Sequence, residues 1–495
     1  MTLRESRNMI ALDCGNSSFR IVLGRFNGKT IQREVIDQYP NEMIRVSGYD
    51  YWDMLRIFSG FKASLRKAAA MVDRIDSIGV CTWGVDFALY DREGNMLGNP
   101  LAYRNTMGAE QMDRLAEKDQ NRLFSATGIL CDKINSIYML MGMQEAMPSL
   151  CKTADKLLMI PDILHYMLTG RMHNEPSELS TTQMMNVRTK QLSQEACEIA
   201  GVSSSLFSPP VVHGEPVGML SAAIRDELGI PYDIPVIGVP SHDTACAVLA
   251  VPACEEHFAF ISSGTWSLIG TELAEPVISD QVRDAGLTNE AGAFGTITLL
   301  KNSAGMFLLQ RIRKEYELAV GRAADWDELD RLMDAYDGPI RLFPVNDKRF
   351  FNPVSMSGAI GEYLRSSGQA EQEVGWGALL SSVYHSLACG YALTIEGLEN
   401  ATEHHFDTVY IVGGGSKNFL LNGLTADRTG KTVIACDKES TALGNLICQL
   451  RAFQPQLDMQ GMRRIVRESI ERKTFAPRRK NDSLTERYRN ECEHG

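Results

Sequence analysis

Met9-Ile10-Ala11-Leu12-Asp13-Cys14-Gly15-Asn16-Ser17-Ser18-Phe19-Arg20-Ile21-Val22-Leu23 reads as strand, turn, strand. Four apolar residues run into an acid, a small polar stretch follows, and the apolar pattern resumes at Phe19. Gly15 and Asn16 both tolerate positive φ, which a tight hairpin needs. The plan returns later as Phe258-Ala259-Phe260-Ile261, then Ser262-Ser263-Gly264-Thr265, then Trp266 to Ile269. Gly15 and Gly264 stand 249 residues apart, about half of the 495-residue chain. A solenoid would repeat every ~20–50 residues. The spacing instead predicts a duplicated α/β domain with a cleft between the copies and a boundary near residue 250.

Outward from the first hairpin, Ile78 to Cys81 and Phe87 to Tyr90 read as strands around Thr82-Trp83-Gly84-Val85-Asp86. Gln111 to Leu168 has mostly helical spacing, and Pro209 to Pro240 reads as loops and short strands. Outward from the second hairpin, Thr408 to Val412 is a buried-type strand entering Gly413-Gly414-Gly415. A helix is expected from Ser416, a strand over Thr432 to Ala435, and helices over 375–399 and 440–452. Strands alternating with helices indicate α/β architecture.

Bulk properties narrow the function. Hydrophobic residues make up 44% and charged residues 23%, as in a globular protein. The net charge of −12 argues against nucleic acid as a partner. Arg478-Arg479-Lys480 reads as a solvated basic stretch. The 11 cysteines are odd in number, scattered and without a Cys-x-x-Cys pair, which points to reduced thiols and a cytoplasmic setting rather than to disulfides or zinc. No apolar run approaches the ~18 residues of a membrane span, and the short N-terminal apolar run is not a signal peptide. Monomer and homodimer both remain open.

Five segments bear on chemistry. The Asp13 to Ser18 hairpin suits phosphate, because small residues let backbone N–H groups approach anionic oxygens. Asp13 at its strand end could hold Mg²⁺, and Arg20 could add charge. A plain surface turn is an even alternative for this hairpin alone. The Ser262 to Thr265 hairpin makes the same offer, and the pair could clamp one polyphosphate. In Ser241-His242-Asp243-Thr244, an acid after a buried strand could act as general base. On spacing alone, Asp243 as a helix N-cap is the stronger reading. Three consecutive residues do not make a hydrolase triad, and no Gly-x-Ser-x-Gly elbow is present. Gly413 to Gly415 could let a nucleotide lie against bare backbone, but no Rossmann fingerprint, Walker A run or protein-kinase signature occurs. Lys301-Asn302 precedes a helix, and eight steps of ~100° would bring Gln310 to the same side.

Taken in order, Asp76 to Gly79 with Thr82 to Phe87, Ser241 to Ala245, Ser262 to Leu268, Leu300 to Asn302 with Leu308 to Arg311, and Ile411 to Gly415 resemble the FGGY carbohydrate kinases over almost the whole chain. The resemblance implies two ribonuclease-H-like domains of actin/hexokinase type with ATP in the cleft. It divides the chain into a sugar-binding N-terminal domain over 1–248 with part of the ATP site, an ATP-binding C-terminal domain over 249–460, and a helical tail over 461–495. It implies Asp243 as the catalytic base, overturning the cap preference. Gly84, His242, Asp243, Thr244 and Asn302 are implied as sugar contacts. Asn16, Ser17, Ser18, Phe19, Arg20, Thr265, Gln310, Gly413, Gly414 and Gly415 are implied as ATP contacts, and Asp13 with Asp243 as metal ligands. The implied reaction converts ATP and L-rhamnulose to ADP and L-rhamnulose 1-phosphate with Mg²⁺. Two places depart from the pattern. Phe19 stands where the family carries glycine in the first hairpin, and Asn105-Thr106-Met107 stand where it tends to carry Asp-Ser-Arg. These departures keep L-fuculose, a pentulose or another deoxyketose open as the sugar. Phe19 alone favours a sugar- and nucleotide-binding sensor without catalysis.

Overall fold

The computed structural model describes residues 6–478 and 483–493; Arg479 and Lys480 of the basic stretch lie outside the described residues. The chain forms two compact units. The first comprises Met1–Cys254, Glu272–Leu299 and Ser440–Ile470; the second comprises Glu255–Thr271, Leu300–Glu439 and the segment from Glu471. The chain therefore returns twice to the first unit, which a single linear division at 248/249 does not capture. Apolar side chains of Ser440–Leu450 supply the physical reason: they find their partners on a sheet laid down more than 350 residues earlier.

That sheet has six strands in the order Pro216–Met219, Pro235–Ile237, Ser77–Thr82, Arg7–Cys14, Ser18–Phe26, Ile31–Pro40. Arg7–Cys14 is antiparallel to Ser18–Phe26 and parallel to Ser77–Thr82. Met9 to Cys14 and Ser77 to Thr82 are buried without alternation, as expected of central strands covered on both faces. One face packs on Met54–Met71 and Ile160–Thr169, through Ile57, Phe61 and Leu65 of the first helix and Ile163, Leu164 and Leu168 of the second. The other face receives Ser440–Leu450. Gln449 of that helix donates to Ile10 O at 3.0 Å and accepts from Ser77 Oγ at 2.6 Å. A Cβ on Gly444 would lie 1.8 Å from the Cys246 carbonyl oxygen, so only glycine lets this helix meet Asp243–Leu249.

A second, seven-stranded sheet runs Thr288–Ala291, Ile297–Ala304, Trp266–Leu273, Ala259–Ser263, Thr408–Val412, Thr432–Ala435, Lys473–Phe475. Ala259–Ser263 is antiparallel to Trp266–Leu273 and parallel to Thr408–Val412, which is parallel to Thr432–Ala435. The expected tail over 461–495 is not simply helical: Lys473–Phe475 pairs antiparallel with Val433–Ala435, because the edge of this sheet leaves backbone groups for it to satisfy. Trp376–Thr402 is long and apolar enough to cross a membrane by length and composition, yet 94% of its most apolar window is buried inside the protein. Its apolar residues form core rather than a lipid-facing surface.

Elsewhere the departures are local. The stretch 111–168 holds helices Thr106–Arg114, Glu117–Thr127, Ser136–Ala146, Pro148–Thr153 and Ile160–Thr169, interrupted by the strand Lys156–Met159. All eleven cysteines are free thiols, and eight of them, Cys14, Cys81 and Cys246 included, are buried.

Candidate active site

Three strand ends of the first sheet meet at one edge. Cys14 is level with Thr82, and Thr82 bridges to His242. Asp13, Trp83-Gly84 and His242-Asp243 thereby converge beyond the carboxyl ends of parallel strands, where open α/β sheets place their ligands. The cap position of the helix Asp243–Leu249 is His242, with φ −68° and ψ 126°, and Asp243 opens the first turn. The cap reading of Asp243 therefore falls, and its carboxylate remains available. The side chain is 36% exposed, its Oδ1 accepts from Thr244 Oγ1 at 3.2 Å, and Nε2 of His242 lies 3.6 Å away. Burial raises the Asp243 carboxyl above the ordinary aspartate range, against the pull of His242. Burial alone would lower the His242 imidazole. The carboxylate of Glu290, 3.2 Å from Nδ1, outweighs it together with Asp243 and Glu175, so the ring is raised to about 9.

Gly84 is tight rather than open: a Cβ there would meet Thr181 Cγ2 at 2.9 Å and His242 Cδ2 at 3.3 Å. The next residue, Val85, holds φ +71°, costly for a β-branched side chain. Its N–H donates to Thr181 Oγ1 at 2.9 Å and its carbonyl accepts from Ser136 Oγ at 2.5 Å, which fixes the bend. Asp86 then accepts from both Trp52 Nε1 at 2.6 Å and Trp83 Nε1 at 2.8 Å. Its burial raises the carboxyl to about 7 despite those two indoles.

A buried polar chain supports His242 from below. Asp162 accepts from Glu175 N at 3.1 Å and Asn174 Nδ2 at 3.1 Å. Glu175 in turn accepts from Ser177 Oγ at 2.5 Å and pairs with His213 Nε2 at 2.5 Å. Ser177 Oγ accepts from His242 N at 3.0 Å. Donors from Ser177 and His213 hold the Glu175 carboxyl below its ordinary range despite burial. Sequence reading missed Glu175, Ser177, Thr181, His213 and Glu290. The available signal was Asn174-Glu175-Pro176-Ser177-Glu178-Leu179-Ser180-Thr181-Thr182-Gln183, a polar run that is buried almost throughout.

In the first hairpin, Gly15 N donates to Ser18 O at 3.0 Å, and Asn41 braces the turn through Gly15 O and Ser17 O. Arg20 Nε donates to Asp13 Oδ2 at 2.8 Å, so these two candidates form an ion pair. The Phe19 side chain is 1% exposed, stacked on Tyr39 at 4.9 Å between ring centroids. It faces the core, which corrects its assignment as an ATP-contacting side chain and removes the main support for the sensor reading.

The second unit repeats the hairpin with other chemistry. Gly264 N donates to Trp266 O at 2.8 Å, while Gly264 O and Thr265 O accept from Met306 N and Phe307 N, the start of helix Phe307–Val320. Thr265 and Gln310 are exposed. Asn302 lies within the strand Ile297–Ala304, not on the helix, so the helical-wheel argument linking it to Gln310 is corrected: Gly305 turns the chain between them. The three glycines differ. A Cβ on Gly413 would meet Ser263 O at 2.9 Å, and one on Gly415 would overlap the Ser263 side chain. Gly414 is exposed, with nothing within 4 Å of its missing Cβ. Two glycines thus serve packing, and the third presents bare backbone.

The Asn105 side chain is committed to backbone. Asn105 Nδ2 donates to Asp50 O at 2.8 Å and Ala102 O at 2.7 Å, and its Oδ1 accepts from Asp50 N at 2.9 Å. Met107 packs on Gly142. Both line a cavity of about 500 Å³ with Arg45, Arg104 and Arg114 that contains neither Asp13 nor Asp243.

The FGGY carbohydrate kinase N-terminal domain model matches residues 8–250, and the corresponding C-terminal domain model matches 259–453. The chain belongs to the FGGY family of carbohydrate kinases. It is a sugar kinase, a phosphotransferase with the two-domain actin/hexokinase-like fold. Among relatives, it is 37% identical over 473 residues to a rhamnulokinase of Bacteroides thetaiotaomicron, covering 95% of this chain and 96% of that one. It is 36% identical to a rhamnulokinase of Bacillus subtilis, covering 94% and 95%. Among solved structures, a ligand-bound xylulose kinase from Lactobacillus acidophilus superposes with TM-score 0.80 at 15% identity, over 98% of this chain and 96% of that one. Plasmodium falciparum glycerol kinase with ADP gives 0.78 at 14%, over 98% and 96%. At such identities the superpositions speak to the fold of this FGGY kinase alone.

Proposed function

We propose that this FGGY kinase transfers the γ-phosphoryl group of ATP to the 1-hydroxyl of L-rhamnulose, with Asp243 as general base. One observation carries the mechanism: a partly exposed carboxylate stands at the carboxyl edge of the first sheet, fixed by the helix start and flanked by the His242 imidazole. The sugar oxygen attacks the γ-phosphorus, the bond to the β-phosphate oxygen breaks, and the hydroxyl proton passes to Asp243. The raised carboxyl of Asp243 is matched to that role, and general-base help of this kind is worth ~10²–10⁴-fold.

His242 and Gly84 would line the sugar side, the missing side chain at Gly84 letting Thr181 and the His242 ring pack against its backbone. In the second unit, the exposed Gly414 and the Gly264-Thr265 turn are cradles a side chain would fill, which fits a nucleotide lying on backbone. In the first unit, the Gly15 to Ser18 turn offers N–H groups and hydroxyls to a phosphate. Asp13 and Asp243 offer only oxygen donors, the set a hard divalent cation takes, so they fit Mg²⁺. Bound there, Mg²⁺ would neutralise charge on the transferring phosphoryl oxygens.

The choice of sugar rests on the whole-chain rhamnulokinase relatives. The bracing role of Asn105 removes the case for a changed specificity at that position. The test is ADP release with ATP and Mg²⁺ across L-rhamnulose, L-fuculose, L-ribulose, xylulose and glycerol. The highest kcat/KM is expected for L-rhamnulose. A tenfold preference for another sugar would move the specificity and leave the chemistry in place.

A further inference from the structure

Glu290, Glu175 and their neighbours touch no reacting atom in this reading, yet Glu290 lies directly against the His242 ring. The ring is defined on three sides: Nδ1 lies 3.2 Å from Glu290 Oε2, Nε2 lies 3.6 Å from Asp243 Oδ1, and Cδ2 faces Gly84. The backbone beneath it is held, since His242 N donates to Ser177 Oγ and Thr82 N donates to Ser241 O at 2.7 Å. Nothing in that backbone decides the rotation of the ring itself. A half-turn about the Cβ–Cγ bond would exchange nitrogens for carbons and turn Nε2 away from Asp243.

Glu290 is built to oppose that turn. It sits on the strand Thr288–Ala291, between two anchored neighbours. Asn289 Nδ2 donates to Gly128 O at 2.9 Å and to Val277 O at 3.0 Å, while Ala291 N donates to Ser180 Oγ at 3.0 Å. The side chains of His242 and Glu290 are only 11% and 15% exposed, so their attraction is weakly screened. Asp243 and Glu175 also act on the ring, but Glu290 is the carboxylate at Nδ1.

We propose that Glu290 is a positioning residue of the sugar site: standing against Nδ1 of His242, it fixes the turn of the ring so that Nε2 lies beside Asp243, where the sugar hydroxyl binds. The inference rests on the kinase reading above.

The test is steady-state kinetics of the full chain and its Glu290→Ala, Glu290→Gln and Glu290→Asp variants, with L-rhamnulose and ATP varied separately. Wild type and Asp243→Asn are run alongside. Glu290→Ala is expected to raise the sugar KM at least tenfold with the ATP KM within twofold. Glu290→Gln, which keeps an oxygen within reach of Nδ1, should recover at least a third of that loss. A sugar KM within twofold of wild type in Glu290→Ala overturns the proposal, as does a parallel rise in both KM values or a Gln variant no better than Ala. Should Glu290→Ala fail to fold, Glu290→Asp decides, because it draws the carboxylate back from Nδ1 by one methylene: a sugar KM raised at least threefold with the ATP KM within twofold supports the role, and an unchanged one ends it. Full activity of Asp243→Asn, or wild-type silence on every sugar, would sink the kinase reading and this inference with it.

Discussion

The two sheets share one plan and carry opposite chemistry. In each, a small-residue hairpin joins two antiparallel strands, the first of which runs parallel to a later strand, then to another, with an antiparallel edge beyond. The carboxyl edge of the first sheet is acidic and crowded: Asp13, Asp243, and behind them Glu175, Glu178 and Glu290. The corresponding edge of the second is bare: Gly264, Thr265 and Gly414, with Gly413 and Gly415 spent on packing. A shared topology fixes where an edge lies. The side chains placed there decide whether it moves a proton or accommodates a ligand against backbone.

Replacing the acid on the first edge should give the largest effect. Asp243→Asn is expected to lower turnover by about 10²–10⁴-fold with ATP binding kept, read by coupled ADP release and by calorimetry. Turnover within tenfold of wild type would remove Asp243 as base. In the wild type, a base with a raised carboxyl is protonated early as pH falls. The acid limb of kcat/KM should therefore appear above the ordinary aspartate value of about 4. A limb at or below that value would contradict the buried environment assigned to Asp243.

The bare edge is sharpened by two neighbouring glycines. Gly415→Ala must displace Ser263 and should lower Tm by several degrees, since forced overpacking costs about 1–3 kcal/mol. Gly414→Ala meets nothing and should leave Tm unchanged while weakening ATP binding about tenfold. Equal effects of the two on Tm would erase the distinction between packing and cradle. The smallest effect is expected away from both edges. Asn105→Asp removes the side-chain donor to the carbonyls of Asp50 and Ala102, each of which keeps a backbone donor, and should cost about 0.5–1.5 kcal/mol in denaturant unfolding, with sugar preference unmoved. A switch in preference would return Asn105 to the sugar.

Much of this was legible in the chain. Hairpins, parallel strands and the glycine run follow local rules: alternation or unbroken runs of apolar residues, turn residues with positive φ, and an acid placed after a strand. Asp243 was reached in that way, with the family resemblance deciding between base and cap, whereas Gly84 came from the resemblance alone. The wheel joining Asn302 to Gln310 failed because a strand and a turn at Gly305 stand between them where helical steps were counted. Phe19 was misread because a side chain in a phosphate-type loop has two faces to choose from, and spacing does not say which. Glu290 and the Asn174 to Gln183 run were invisible, since a polar residue looks solvated until its burial is known.

Sequence by itself determined the family, the duplicated hairpins and the residue types available at each edge, because those are properties of short windows and their order. Tertiary structure alone decided that Ser440–Leu450 returns to the first sheet, that Phe19 turns inward, that Asn105 pins backbone, and that Glu290 meets His242. Each of these depends on which groups, tens to hundreds of residues apart, are brought within a few ångströms, and contact energies at that range leave no periodic trace in the chain.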